Sequence, residues 1–126
     1  MVYLDTNVLI YLLERHASYS ERVADALDEL RSQKQSFLTS VIAITEFLAG
    51  TKSPNHKALH RVAHLNFEVL DENSATQAAL IQRKHKLQIG DAIHLATAIS
   101  QGATLFFTND KPLAKVAKAY LPVKTL

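Results

Sequence analysis

Short apolar runs alternate along this chain with segments whose apolar residues recur at helical spacing. The run Val2–Leu4 ends abruptly at Asp5, as expected of a buried parallel strand. Further strands are predicted at 37–38, 67–70, 104–107 and 122–124. Helices are predicted at 7–15, 21–30, 39–49, 56–64, 73–84, 91–100 and 111–119. Because strands and helices alternate, the pattern predicts an α/β fold built on a parallel sheet.

Small polar residues and glycine predict where the helices begin and end. Thr6 and Ser20 are expected to cap the first two helices, and Gly50 is expected to close the third. Surface turns are predicted at 18–20 and 51–55. Neither a linker nor an internal repeat interrupts the pattern, so residues 1–126 are expected to form one domain.

Composition narrows the class of protein. Apolar residues make up 48% of the 126 residues, which is enough for a core, and disorder is not expected. The absence of cysteine excludes disulfides, zinc–thiolate centres and thiol catalysis. No apolar run reaches the ~18 residues of a transmembrane helix, and the start lacks the basic and apolar regions of a signal peptide. We therefore expect a cytoplasmic protein with no membrane contact.

Four acidic residues interrupt apolar segments in which a charge has no evident structural use, namely Asp5, Glu46, Asp91 and Asp110. Asp5 ends the first strand and Asp110 follows the fourth by one short turn, so both are expected at the same edge of the sheet. Asp91 begins a helix, and Glu46 lies in a helix on a face of apolar and small residues. Carboxylates in one pocket repel one another, and a divalent cation would relieve that repulsion, which predicts a hard-metal site.

Each acid can also be given a purely structural role. Asp5 and Asp91 lie where aspartate commonly caps helices, and Asp110 lies in an Asn-Asp-Lys-Pro sequence typical of turns. Capping does not account for Glu46, however, and does not explain why all four acids occur together. Small polar residues flank the acids and are predicted to orient carboxylates or water, namely Thr6, Asn7, Thr108 and Asn109.

The rest of the chain is basic. The net charge is +2, and without the four candidate acids the remainder is distinctly more basic, which suits a polyanionic substrate. The basic run at 83–86 has two interpretations, a solvated face or a set of phosphate contacts. His94 lies one turn after Asp91, but a single histidine is most often structural, and Tyr3 is expected to pack in the core.

The four acids belong to four segments that occur in the order VYLDTNVLIYLLE, TSVIAITEFLAG, IGDAIHLATA and TLFFTND. Together these segments resemble the PIN-domain ribonucleases, most closely the VapC-like toxins of bacterial and archaeal toxin–antitoxin pairs. The resemblance runs from Met1 to about Leu113, which is nearly the whole chain. Each motif is short, and the specificity of the resemblance lies in the ordered set.

The resemblance implies a three-layer α/β/α sandwich around a central parallel sheet, with the whole chain as a single PIN-like domain. It also implies that the four acids bind Mg²⁺ or Mn²⁺ and cut single-stranded or looped RNA. Asp5 and Asp91 are expected to be the principal ligands, with the other two acids completing the shell or holding water. Thr6, Asn7 and Thr108 match positions where the family often keeps a small polar group.

The resemblance carries two further expectations about partners. Toxins of this type usually pair with a small antitoxin, so a VapB-like antitoxin is expected, and they are often homodimers. The chain departs from the pattern at Leu113, where many members have an aromatic residue. Which RNA is cut does not follow from the motifs.

Three other classes of protein share parts of this pattern. Haloacid-dehalogenase-type phosphatases end a strand in a nucleophilic Asp, here Asp5, but usually carry a second Asp where this chain has Asn7. Receiver domains place a phosphate-accepting Asp after the third strand, here Asp71, but usually have an acidic pair near the first strand. The third alternative is a PIN module that binds RNA or a partner without catalysis, and the intact set of four acids argues against it.

Overall fold

The computed structural model describes residues 1–52 and 54–126, which fold as alternating strands and helices. The strands are β1 (Val2–Leu4), β2 (Phe37–Ser40), β3 (Leu65–Glu68), β4 (Leu105–Phe107) and β5 (Val123–Lys124). The helices are α1 (Thr6–Leu13), α2 (Ser20–Ser32), α3 (Ile42–Gly50), α4 (Glu72–His85), α5 (Ile89–Ser100) and α6 (Lys111–Ala117). The predicted α/β class is confirmed.

The sheet is parallel throughout the described residues, and its strand order is β3-β2-β1-β4-β5. β1 lies at the centre, where Val2 is paired with Phe37 of β2 on one side and with Leu105 of β4 on the other. The chain adds β2 and β3 on one side of β1, then β4 and β5 on the other. The strand order therefore reverses next to β1, and open parallel sheets bind ligands at such a point, beyond the carboxyl ends of the strands.

Helices cover both faces of the sheet and bury two apolar clusters. Along β1, Val2 and Leu4 join the cluster packed against α1, α2 and α3, while Tyr3 joins the cluster packed against α4, α5 and α6. Phe107 and Phe106 of β4 divide between the two clusters in the same way. The predicted three-layer α/β/α sandwich is confirmed, and the central strands are continuous apolar runs because both of their faces are buried.

The boundary between β2 and α3 differs from the prediction. Thr39 and Ser40 belong to β2 rather than to a helix, and α3 begins only at Ile42. Thr39 is fully buried, and its Oγ1 donates a 2.8 Å hydrogen bond to the carbonyl oxygen of Leu4. These residues extend the strand because they pair with Phe67 and Glu68 of β3, while the Ser40 hydroxyl accepts a 3.2 Å hydrogen bond from the Ile42 backbone N–H at the start of α3.

β3 begins and ends two residues before the strand predicted at 67–70. Leu65 pairs with Phe37, which fixes the register, and the strand ends at Glu68. The next two residues, Val69 and Leu70, are 75% and 37% exposed. The apolar run continues past the end of the sheet. A prediction based on hydropathy therefore put the strand two residues too far along the chain.

The first two helix caps are shifted by one residue from the prediction. Asp5 rather than Thr6 is the N-cap of α1, and Thr6 is the first helical residue. Ser20 is likewise the first residue of α2, after Tyr19, so the turn predicted at 18–20 runs into the helix. Asp5 therefore has a structural role in addition to any chemical one.

Helix ends also differ: α1 ends at Leu13, and α5 begins at Ile89 after its N-cap Gln88, so Asp91 lies in the first turn rather than at the predicted start. Further differences lie between α3 and β3. Gly50 is the last residue of α3 rather than the residue that follows it. The helix predicted at 56–64 is a 3₁₀ helix at His56–Arg61. The turn predicted at 51–55 includes Ser53, which lies outside the described residues. Among residues 1–52 and 54–126, none of the helices is both long enough and apolar enough to cross a membrane.

Candidate active site

Asp5 is held at the carboxyl end of β1 by hydrogen bonds to both carboxylate oxygens. The Thr6 backbone N–H donates to Oδ1 at 2.8 Å, because Asp5 caps α1. Oδ2 accepts hydrogen bonds from Thr108 Oγ1 at 2.6 Å and from Asn7 Nδ2 at 3.1 Å. The side chain is only 4% exposed. A buried carboxylate with this many donors has a fixed orientation.

The loops after β1 and β4 are joined by the small polar residues that flank the acids. The backbone N–H of Asn109 donates to Asn7 Oδ1 at 3.2 Å, and Thr108 Oγ1 accepts from the backbone N–H of Asp110 at 3.1 Å. Leu4 of β1 pairs with Phe107 of β4, so these two loops begin side by side. Thr108 and Asn7 thus contact Asp5 directly, whereas Asn109 takes part through its backbone.

Asp110 is the N-cap of α6. Its Oδ1 accepts a 3.1 Å hydrogen bond from the backbone N–H of Leu113. The side chain remains partly exposed at the edge of the sheet. Leu113 itself is fully buried in the cluster that contains Tyr3 and Phe106. The capping role of Asp110 is real and leaves its second carboxylate oxygen without a capping partner.

Glu46 of α3 reaches the same region and is held through one oxygen. Oε1 accepts a 2.8 Å hydrogen bond from Thr6 Oγ1 and lies 2.5 Å from His94 Nε2. Oε2 faces Gly90, where an added Cβ would lie only 2.9 Å away. Burial raises the pKa of Glu46, but hydrogen bonds from His94 and Thr6 outweigh that effect and leave the pKa below its ordinary value. The side chain is 36% exposed.

His94 is fully buried and links the sheet to the acids, which the sequence did not indicate. Its Nδ1 lies 2.6 Å from the Tyr3 hydroxyl, and its Nε2 lies 3.0 Å from Thr6 Oγ1 and 3.7 Å from Asp5 Oδ1. Burial lowers the pKa of His94, but the hydrogen bond with Glu46 and the charge of Asp5 outweigh it and raise the pKa. The signal available in the sequence was its place three residues after Asp91, on the same helix face.

Asp91 lies in the first turn of α5 and is half-buried. Burial, together with the charges of Asp5, Asp110 and Glu46, raises its pKa to about 6, while the charge of His94 opposes them. The structure therefore brings all four predicted acids into one electrostatic neighbourhood at the carboxyl edge of the sheet. Neighbouring carboxylates oppose one another's ionisation, and here the effect is seen in the raised pKa of Asp91.

The basic run at 83–86 lies in the last turn of α4 and at its C-cap. His85 Nε2 lies 2.8 Å from the Tyr120 hydroxyl, and Lys86 has the left-handed backbone of a helix C-cap. Cations at a helix C-terminus interact favourably with the helix dipole. This placement favours the solvated-face interpretation of the run.

The carboxylates fit a hard divalent cation in their chemistry. All four offer oxygen donors, which Mg²⁺ prefers, and Mg²⁺ in proteins is usually bound through one or two carboxylates together with water. In the described part of the chain, no three Asp, Glu or His side chains are arranged so that they hold an ion jointly. The geometry is therefore compatible with a site in which one or two carboxylates bind directly and the others act through water.

Comparison with known proteins identifies solved structures that share this fold. A comparison with curated proteins finds no match. Among solved structures, VapBC2 from Rickettsia felis, bound to a DNA fragment from the promoter, is similar with a TM-score of 0.77 and 18% identity, covering 100% of this chain and 99% of that one. VapC20 from Mycobacterium tuberculosis, a toxin that cleaves the sarcin-ricin loop, is similar with a TM-score of 0.74 and 16% identity, covering 98% of this chain and 99% of that one.

A toxin–antitoxin complex from Klebsiella pneumoniae has a TM-score of 0.71 and 24% identity, covering 90% of this chain and 91% of that one. At such identities these likenesses show a shared fold. The sequence profile of the PIN domain matches residues 2–119. Because that match covers nearly the whole chain, this protein belongs to the PIN domain family.

Proposed function

We propose that this protein is a metal-dependent endoribonuclease whose active site comprises Asp5, Glu46, Asp91 and Asp110. One observation carries the proposal: the pKa of Asp91 is raised to about 6 by burial and by the charges of the other three acids. Structural acids placed only as helix caps have no reason to converge in this way. Perturbed carboxylates gathered at the carboxyl edge of a parallel sheet are typical of a functional site.

Mg²⁺ or Mn²⁺ would be held by Asp5 and Asp91, with Glu46 and Asp110 completing the site. Such an ion supplies a nucleophilic water at neutral pH and neutralises charge on a phosphodiester. The chain itself contributes orientation: Thr108 and Asn7 fix the Asp5 carboxylate before any substrate arrives. Fixed donors of this kind remove the cost of reorganising the site during reaction.

RNA is the proposed substrate. When the four site acids are set aside, 14 Lys and Arg side chains remain against eight Asp and Glu. A basic surface around an acidic pocket attracts a polyanion and leaves the charge at the cutting point to the ion. The similar fold of VapC20 from Mycobacterium tuberculosis, which cleaves the sarcin-ricin loop, supports an RNA substrate.

We further propose that the protein is the toxin of a cytoplasmic toxin–antitoxin pair. Similar folds occur in VapBC2 from Rickettsia felis and in a toxin–antitoxin complex from Klebsiella pneumoniae. A VapB-like antitoxin and a homodimer are the corresponding partners. Co-expression with a candidate VapB-like antitoxin, followed by co-purification and loss of cleavage, would test this part separately.

The phosphatase alternative has less support. A phosphatase of that type usually carries a second Asp two residues after its nucleophile, and here that position is Asn7, whose Nδ2 donates a 3.1 Å hydrogen bond to Asp5 Oδ2. The receiver alternative needs Asp71, which instead caps α4 through a 2.7 Å hydrogen bond from the Ser74 backbone N–H. β3 before it lies at the edge of the sheet, away from the central strand β1.

The proposal is tested by incubating the purified protein with a mixed pool of structured RNAs in Mg²⁺, Mn²⁺ or EDTA. Asp91→Asn is the active-site variant, and Asp25→Asn, at an exposed position on α2, is the matched control. We expect cleavage that requires metal, is lost in Asp91→Asn and is unchanged in Asp25→Asn. Equal cleavage by Asp91→Asn and wild type would refute the assignment.

A further inference from the structure

Among the described residues, Glu46 is anchored through one of its carboxylate oxygens. Oε1 receives both hydrogen bonds, from Thr6 Oγ1 and from His94 Nε2, whereas Oε2 lies over Gly90. A glutamate side chain that is 36% exposed would otherwise sample several rotamers. Holding such a side chain in one rotamer costs conformational entropy, which hydrogen bonds to the charged oxygen offset.

The proton arrangement around His94 is determined by its neighbours. The Tyr3 hydroxyl accepts a 3.0 Å hydrogen bond from the Ser40 backbone N–H and lies 2.6 Å from Nδ1. If Tyr3 donates to Nδ1, the ring proton must be on Nε2, facing Glu46. The protonated ring also carries a proton on Nε2. The donor to Glu46 is therefore present in either protonation state.

The path from the core to Glu46 is rigid. The His94 ring is fully buried and packs edge-on against Tyr3, with ring centroids 5.7 Å apart. Tyr3 in turn stacks on Phe106 of β4, with centroids 5.3 Å apart and planes within 6°. These contacts fix the imidazole relative to β1 and β4, the strands that carry Asp5 and Thr108 at their ends.

We propose that His94, supported by Tyr3, is a positioning residue that occupies Oε1 of Glu46 and leaves Oε2 directed at the metal site. This inference rests on the proposed function, since it assigns a role within the same site. A purely structural histidine would satisfy its own nitrogens in the core. In His94, Nδ1 contacts the buried Tyr3 hydroxyl, whereas Nε2 contacts the partly exposed carboxylate of Glu46.

Four variants separate positioning from core packing. His94→Leu removes both ring nitrogens and puts an apolar side chain in their place, Tyr3→Phe removes only the hydroxyl, and His94→Gln restores an amide donor. Thr97→Val is the matched control, because Thr97 is buried on the same helix and its Oγ1 bonds only the Ile93 carbonyl oxygen, at 2.8 Å. Thermal unfolding of each variant reports the loss of core stability.

The main readout is Mn²⁺ affinity measured by electron paramagnetic resonance. Residues that orient metal ligands typically change affinity about 10- to 100-fold when removed, so we expect at least about a tenfold loss in His94→Leu, a smaller loss in Tyr3→Phe and partial recovery in His94→Gln. Thr97→Val should lose stability but keep its affinity. Wild-type affinity in folded His94→Leu overturns the proposal, as does an equal loss in Thr97→Val. If His94→Leu does not fold, Tyr3→Phe decides in the same way.

A second readout does not depend on the metal. The Nε2-bound proton of His94 in the metal-free wild type should give a slowly exchanging downfield proton resonance that Glu46→Gln shifts. Absence of this resonance, or its indifference to Glu46→Gln, overturns the proposal. A wild type that has the resonance but binds no Mn²⁺ and cuts no RNA would instead refute the proposed function.

Discussion

Thr108 Oγ1 donates a 2.6 Å hydrogen bond to Oδ2 of Asp5, joining two loops that are 103 residues apart in the sequence. The contact is possible because β1 and β4 are neighbours and both loops leave the same edge of the sheet. It fixes the carboxylate that ends the central strand. The first prediction follows from this pair.

Thr108→Val should destabilise the fold by about 2 kcal/mol, since it leaves a buried carboxylate oxygen with one donor fewer. Urea denaturation at neutral pH measures this loss as a lower midpoint. Thr76→Val is the matched control, because Thr76 makes its hydrogen bond on the exposed face of α4 and should change stability little. A midpoint for Thr108→Val equal to that of wild type would show that the contact contributes nothing.

Asp91→Asn should stabilise the metal-free protein at pH 7.5. The folded-state pKa of Asp91 is about 6, above its usual value of 3.8, so stability falls as pH rises between these two values. Above pH 6 the substitution should recover about 1 kcal/mol, after allowance for solvent screening of a half-buried group. Thermal unfolding in EDTA should show the gain at pH 7.5 and little at pH 4. A loss at pH 7.5 would mean that Asp91 mainly stabilises the first turn of α5.

Metal affinity should rise with pH through about 6, because Asp91 must lose its proton to bind a cation. Calorimetric titration of Mg²⁺ between pH 5 and pH 8 would measure this slope, with proton release on binding near pH 6. Asp25→Asn should retain the full pH dependence. Affinity that is independent of pH across this range would exclude Asp91 as a ligand.

Gly90→Ala should separate stability from function. Alanine is about 1 kcal/mol more favourable than glycine in a helix, but its Cβ would lie 2.9 Å from Glu46 Oε2 and displace that flexible carboxylate. We expect unchanged or higher thermal stability together with weaker Mn²⁺ binding and slower RNA cleavage.

Gly50→Ala is the control for this substitution, since the nearest atom to its Cβ is Ile10 Cδ1 at 3.9 Å. It should leave metal binding intact. Normal binding and cleavage by Gly90→Ala would indicate that the Glu46 carboxylate does not need the position seen here.

The sequence predicted what depends on local pattern. Asp5 and Asp110 follow apolar strands, so their place at one edge of the sheet was predictable from alternation of strands and helices. The end of β2 was not, because Thr39 resembles a helix start, and its place in the sheet depends on pairing with Phe67 of β3 and on its hydrogen bond to Leu4 of β1. Hydroxyl partners on other strands are not encoded in neighbouring residues.

His94 illustrates the same limit at the site. Its partners Tyr3 and Glu46 lie 91 and 48 residues away, on β1 and α3. Its place three residues after Asp91 is a local signal, but that spacing does not identify the ring as a donor to Glu46. Tyr3 was assigned to the core, which is true of its ring, while its hydroxyl serves the polar network.

The central claim is that Asp5, Glu46, Asp91 and Asp110 form one metal-binding site. Mn²⁺ binding by Asp5→Asn tests this claim without knowledge of the RNA target. Asparagine also caps helices, so α1 should keep its start. We predict one saturable Mn²⁺ site in the wild type and in Asp25→Asn, and an affinity at least about tenfold lower in folded Asp5→Asn, as expected when a carboxylate ligand is lost. Equal Mn²⁺ binding by Asp5→Asn and wild type, or no binding by either, would contradict the account.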